Sequence, residues 1–240
     1  MASDTRVWNK FIASGKNGHG KFRIQDMPSG RLDEVIDLFM KYFILEETWH
    51  KASGIHKSES AQAVAREVWT NRIATHQNNM LICCVDDDSD VVGEIVGAAL
   101  MNIAKKDDPE DDFSDLAGKS KEFAHLLRIV EIFTSNYDVF KEQQIDSLYD
   151  DIGVVVHPKY RGFGIAQKFF NARRKVCQAE GVPLTAAWMS TAGSQIAAAR
   201  DGWEVAYEFS YEEFGKENGL TFENVPPTCK YMVARPLPID

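Results

Sequence analysis

Apolar positions recur with two different spacings along this chain, and the changes of spacing mark its elements. Residues 21–26 read as a short strand and Met27-Pro28-Ser29-Gly30 as a turn. Leu32, Val35, Ile36, Phe39 and Phe43 follow at helical spacing, with Ser29 as the expected N-cap. A polar link around Ser53 and Gly54 leads to a second helical pattern through Val64, Val68 and Ile73. Two apolar runs, 80–85 and 91–102, are joined by Asp86-Asp87-Asp88-Ser89-Asp90, which predicts an antiparallel hairpin with Gly93 and Gly97 as candidate bulges.

Residues 105–118 combine charge with Pro and Gly and predict a surface loop, followed by a helix carrying Phe123, Leu126, Leu127, Val130 and Phe133. Residues 148–156 end in the β-branched run Val154-Val155-Val156, a buried-strand pattern that His157-Pro158 closes because proline cannot extend a ladder. A helix over about 162–180, a strand over 183–189, a helix over 194–200 and strands over 203–209 and 230–233 complete the pattern. There is no internal repeat and no linker long enough to divide the chain. The expected organisation is an N-terminal tail, 1–20, and one mixed α/β domain, 21–240, whose N-terminal sheet is antiparallel.

Composition narrows the function classes. The 240 residues are 44% hydrophobic and 26% charged, a globular balance, with no run long enough for a bilayer span and no signal-peptide core at the N-terminus. A soluble cytoplasmic protein is the expectation. The net charge of −9 opposes general attraction to nucleic acid or anionic lipid, so neither is expected as a partner. Of the four cysteines, Cys83 and Cys84 are adjacent and Cys177 and Cys229 isolated, a spacing that predicts reduced, buried thiols and no metal site.

Several catalytic motifs fail on inspection. Gly118-Lys119-Ser120 ends like a P-loop, but Phe113 stands where the motif needs its first glycine, and Ser120 reads instead as a helix cap. There is no H-E-x-x-H and no G-x-S-x-G. The informative stretch is 154–166, where the buried strand passes through a glycine-containing turn into a helix. Small residues there let a ligand approach the backbone, and the free N–H groups of a helix start favour phosphate. Gln167 occupies the third glycine position of a dinucleotide fingerprint, so that reading fails. Between His157 and Lys175 stand Lys159, Arg161, Lys168, Arg173, Arg174 and Lys175 with no acidic residue, an asymmetry that suits a phosphate ligand in an acidic protein.

The segment Arg161-x-x-Gly164-x-Ala166, after an apolar strand and His-Pro, resembles the R/Q-x-x-G-x-G/A signature of the GNAT superfamily of N-acetyltransferases. The resemblance runs from about Lys21 to Pro236 and is nearest the insect arylalkylamine N-acetyltransferase-like branch, through Tyr42-Phe43-Ile44-Leu45-Glu46-Glu47 and through Ser190 and Ser194 ahead of Asp201-Gly202-Trp203. It implies a single α/β domain with a mostly antiparallel mixed sheet, a splayed central strand pair and flanking helices. It implies that acetyl-CoA is the cosubstrate, held by Val154, Val155, Val156, Arg161, Gly162, Phe163, Gly164, Ile165 and Ala166. The acetyl group would pass by direct attack to the primary amine of a small arylalkylamine. A neutral amine is needed for attack, and an alkylamine has a pKa near that of lysine, about 10.4, so a carboxylate base is required. Glu46 occupies the place of the branch's base, while Glu47 replaces the usual proline and leaves two adjacent carboxylates open for the role. Ser190 and Ser194 match two serines near the thiol, with helix capping as their ordinary reading. Tyr42, Phe43, Glu47 and Trp49 are the expected substrate-binding residues. A protein lysine acetyltransferase and a noncatalytic acyl-CoA-binding module are the rival functions, and the oligomeric state stays open.

Overall fold

The structure, a computed structural model, describes residues 5–16, 18–76, 79–109 and 113–239. In chain order the elements are β1 (Val7–Gly15), β2 (Gly18–Asp26), α1 (Leu32–Tyr42), α2 (Thr48–Ser53), α3 (Glu59–His76), β3 (Met80–Val85) and β4 (Ile95–Lys105). Then come α4 (Ser114–Ala117), α5 (Lys121–Thr134), α6 (Val139–Gln143), β5 (Ser147–Val156), α7 (Ile165–Glu180), β6 (Thr185–Met189), α8 (Ala192–Arg200), β7 (Glu204–Ser210), α9 (Tyr211–Asn218) and β8 (Thr228–Ala234). The strands form one eight-stranded sheet in the order β1-β2-β3-β4-β5-β6-β8-β7. Every neighbouring pair is antiparallel except β5 with β6.

This is the expected mixed α/β domain, with local corrections. Residues 7–15, read as tail, form β1, an edge strand paired with β2 from Val7 to Gly15. The first helix is not capped by Ser29: its N-cap is Arg31, whose guanidinium has no acceptor for the helix N–H groups and instead donates to the Val92 and Gly93 carbonyls and to Glu34. Ser120 does cap α5, accepting from the Phe123 N–H at 3.2 Å. The expected 105–118 loop contains the short α4, and its residues 110–112 lie outside the described residues.

Two apolar layers clothe the sheet. On one face Val35, Phe39, Val68, Trp69 and Phe123 from α1, α3 and α5 pack on Leu100 and Val155, and on the other Phe169, Ala172 and Val176 of α7 pack on Phe22, Ile24 and Val96. The ladder between β4 and β5 slips between Leu100 and Met101, opposite Gly153 and Asp151, leaving Ile152 as an extra residue. A bulge of this kind bends the strand and increases its twist, and it sits where β5 leaves β6. Gly153 suits the close packing there, because a Cβ would come within 3.1 Å of the Trp69, Phe39 and Phe43 rings, which would have to shift to admit it.

Candidate active site

β5 and β6 share only two register pairs, Tyr149 with Thr185 and Asp150 with Ala186. Beyond them β5 stays with β4 as far as Val156, and β6 stays with β8 as far as Met189. The strands therefore diverge into a V whose β5 edge has no strand partner from Asp151 onward. The closed end of the V is pinned from below. Arg173 of α7, fully buried, ion-pairs with Asp151 and donates to Thr185 Oγ1 at 2.9 Å and to the Ala186 carbonyl at 3.0 Å.

At the open end β5 runs through His157 and one 3-10 turn, Pro158–Tyr160, into the glycine turn. Gly162 has φ 87° and Gly164 φ 76°, left-handed conformations that glycine adopts without a Cβ penalty. A Cβ at either would meet no atom within 4 Å, so the space over the turn is open. Gly164 is the N-cap of the 16-residue α7, whose first N–H groups lack intrahelical partners and carry the positive end of the helix dipole. Among the expected cofactor residues, Phe163 and Ile165 turn their side chains inward: Phe163 packs on the Phe22 ring at 5.5 Å, and both are buried. Ala166 packs beside the Phe170–Trp203 cluster. These three can serve a ligand through the main chain alone. Val155 likewise points into the core, while Val154 and Val156 pack partly buried on the α7 side.

The chain between α1 and α2 crosses the mouth of the V and touches both lips. On the β5 lip, Arg161 donates through Nε to the Val156 carbonyl at 3.1 Å and ion-pairs with Glu46 at 2.7 Å. Tyr42 Oη lies 3.1 Å from His157 Nε2. Since His157 Nδ1 accepts from the Lys159 N–H, the neutral ring carries its proton on Nε2 and donates it to Tyr42, leaving the tyrosine proton available. On the β6 lip, Glu47 Oε1 accepts from Ser190 Oγ at 2.9 Å. Glu47 Oε2 accepts from the Trp49 N–H at 2.8 Å, the His50 N–H at 3.1 Å and His50 Nδ1 at 2.9 Å. Glu47 is thus the N-cap of α2 as well as the link to β6. Thr48 Oγ1 and Tyr211 Oη donate to the Ser190 carbonyl at 3.3 and 2.8 Å, which fixes that serine at both ends.

The structure separates the paired candidates. Glu46 is 41% exposed, with one charged partner, whereas the Glu47 side chain is 9% exposed and has four donors. Ser190 is at the β6 lip. Ser194 closes a capping box with Thr191 at the start of α8, donating to the Thr191 carbonyl at 2.9 Å. Phe43 packs on His50 and Trp69 with ring centroids 5.5 and 5.0 Å apart. Trp49, expected at the substrate, is instead buried and stacked on Phe133 at 4.5 Å, amid Tyr211 and Phe222, because the short α2 turns it into the core. His50, Thr48 and Tyr211 were not singled out in the sequence. Glu47 and His50 at i,i+3 are a visible spacing, while nothing local marks Tyr211. All four thiols are free and buried, and burial pushes Cys177 and Cys229 up to about 12, so neither is a thiolate nucleophile near neutral pH.

No family model matches the sequence, and no curated protein matches it. Solved structures do match. The fold is that of the GNAT class of N-acetyltransferases. Within that class the architecture is arylalkylamine N-acetyltransferase-like. A protein of the yellow fever mosquito Aedes aegypti, named "insect putative arylalkylamine N-acetyltransferase 7", superposes with a TM-score of 0.82 at 27% identity, covering 98% of this chain and 96% of its own. Arylalkylamine N-acetyltransferase 2 of Aedes aegypti gives 0.74 at 18% identity, covering 89% of this chain and 98% of its own. A Drosophila melanogaster polyamine N-acetyltransferase that forms N-acetylagmatine gives 0.70 at 14% identity, covering 89% and 99%.

Proposed function

We propose that this chain transfers the acetyl group of acetyl-CoA to the primary amine of a small arylalkylamine-type substrate, by direct attack with both substrates bound. The observation that carries the reading is the V between β5 and β6 opening directly onto the left-handed glycine turn at the start of α7. The residues fit the cosubstrate: the open space over Gly162 and Gly164 accepts a pyrophosphate, the N–H groups of 164–166 face it, and Arg161 supplies a fixed positive charge. The main chain of 154–156 is paired with β4 on one edge, and its other edge, facing the V, has no strand partner among the described residues and offers ladder groups to the pantetheine arm and to the thioester oxygen. Acetyl-CoA supplies an activated acyl group, and the protein's share is to orient the amine and take its proton.

Glu46 is the base in this reading. It is 41% exposed and among the described residues is held by Arg161 through Oε2 alone, whereas Glu47 accepts from four donors and holds Ser190 and α2 in place. Ser190 lies on the far lip, where a departing thiolate would emerge. Ser194 acts as a cap. Initial velocities with acetyl-CoA and a small amine test the reading. Intersecting double-reciprocal lines are expected, parallel lines would contradict direct attack, and faster acetylation of a lysine-containing basic peptide than of any small amine would move the chain to the protein-acetylating class.

A further inference from the structure

Just past β5, the His157 N–H donates to the Val96 carbonyl at 2.9 Å and anchors the chain to β4. From there to Gly162 the chain turns on the single 3-10 turn, closed by the Tyr160 N–H on the His157 carbonyl at 2.9 Å and the Arg161 N–H on the Pro158 carbonyl at 3.2 Å. Pro158 has no N–H to donate, and the next one, on Lys159, is taken by the His157 ring, whose Nδ1 accepts it at 3.2 Å. His157 is therefore the N-cap of the turn that delivers Arg161, Gly162 and Gly164. The other side of the ring is tied to α1, with Tyr42 Oη 3.1 Å from Nε2 and the two rings meeting edge-on at 4.8 Å. Tyr160 packs on the same ring at 5.9 Å.

These two hydrogen bonds fix the protonation of the ring. An N–H aimed at Nδ1 needs a lone pair there, so the ring fits only as the neutral tautomer with its proton on Nε2. A second proton would set two donors against each other, and either the ring would swing away from Tyr42 or the turn would open. Histidine is the side chain that ordinarily changes charge between about pH 5 and 8. Around it stand Lys41 and Tyr42 of α1, Glu46 beyond them, Lys159, Tyr160 and Arg161 of the turn, and Glu94 before β4. Lys41 and Lys159 lie over the Tyr42 and Tyr160 rings at 5.5 and 5.1 Å, while Glu46 pairs with Arg161 and Glu94 accepts from the Tyr160 hydroxyl. Among the described residues no carboxylate accepts from the His157 ring, so nothing there rewards its second proton.

We propose that His157 is a positioning residue for the cosubstrate: its neutral ring holds the glycine turn in the shape that accepts phosphate, and protonation releases that hold. This rests on the acetyl-CoA reading above. A charged ring would also attract phosphate, but at this half-buried, solvent-reached position that attraction is screened. The main-chain donors of 164–166 act only in the conformation that the cap maintains. CoA affinity therefore falls as the ring takes up its second proton, and by linkage CoA moves that protonation to more acid pH.

Calorimetry of CoA on the full chain from about pH 8 to about pH 5 tests it, with the wild type, His157→Asn and His157→Leu compared at each pH so that titration of CoA itself cancels. Asparagine can accept the Lys159 N–H and does not titrate, whereas leucine cannot accept it. His157→Asn is expected to bind within about twofold of the wild type at the alkaline end, and the wild type to lose about tenfold more affinity than His157→Asn at the acid end. His157→Leu should be weaker than the wild type at the alkaline end and show no extra acid loss. Nitrogen-15 spectra of the wild-type ring give a reading that needs no variant. They should show the Nε2-protonated tautomer at the alkaline end, and a titration midpoint that saturating CoA moves down by about one pH unit, the same tenfold seen from the other side. A ring protonated on Nδ1, a midpoint that CoA raises or leaves unmoved, or equal acid losses in the wild type and folded His157→Asn would overturn the inference. Absence of CoA binding at every pH would remove the cosubstrate reading and this inference with it, an outcome distinct from CoA binding whose pH dependence His157 does not alter.

Discussion

The two adjacent glutamates have opposite environments, and this sets their expected behaviour. Glu46→Gln should lower kcat at neutral pH by about 100-fold or more, within the range of general-base contributions. Raising the pH should recover part of it, because the amine then arrives unprotonated. CoA affinity, read by calorimetry, should be unchanged or slightly tightened, since an exposed ion pair such as Glu46–Arg161 is worth at most about 1 kcal/mol. Glu47→Gln should instead lower the melting temperature, by loosening α2 and Ser190 together. Wild-type turnover across pH in Glu46→Gln, with turnover lost in a folded Glu47→Gln, would move the base by one residue. The sequence shows two carboxylates and could not separate them: glutamate is not among the usual N-cap residues, so nothing local announces that Glu47 caps a helix. The serines behave similarly. Ser194 is three residues from Thr191 and caps, and Ser190 is oriented by Tyr211 from another element, a contact that spacing cannot reveal.

Elements with a full apolar period were legible, and short or half-exposed ones were not. The Val154-Val155-Val156 strand, the glycine turn and α7 follow from β-branching, the His-Pro stop and the Arg161-x-x-Gly164 pattern. β1 buries Trp8, only half-buries its core-facing Phe11 and Ala13 and leaves Ile12 exposed at the sheet edge, so its apolar alternation is weak, and α2 is six residues long, too short to show a period. The splay of β5 from β6 was expected through family resemblance, and the structure gives it a cause in the bulge at Ile152. The turn supplies the test at this scale. Gly164→Val should cost about 1–2 kcal/mol of stability through its positive φ, with no clash, yet it would fill the open space over the turn. CoA binding should therefore weaken far more than the fold, and an unchanged CoA affinity in folded Gly164→Val would place the pyrophosphate elsewhere.

At the scale of the molecule, the cleft depends on a buried charge at its closed end. Arg173 ties α7 to both strands, and Arg173→Met would leave Asp151 without its partner, a loss of about 3–5 kcal/mol visible in chemical denaturation. Asp150 contributes to the pH dependence in the opposite sense from a salt-bridged carboxylate. Its folded value, about 6, lies above the unfolded 3.8, so the native state holds the extra proton and this group's contribution falls as pH rises from about 4 to 6. Asp151, Arg173 and Arg72 act on it electrostatically, and Asp150→Asn should gain stability relative to the wild type more at pH 7 than at pH 4. No helix among the described residues is long and apolar enough to cross a membrane. In the proposed reaction the V-shaped cleft brings acetyl-CoA and a small amine together. Thiol release from acetyl-CoA, followed with the full chain across a panel of arylalkylamines, diamines and a basic peptide with product masses recorded, tests it most directly. Thiol release should require a small amine and yield its mono-acetyl product, and CoA binding with no amine-dependent thiol release from any of them would contradict this reaction.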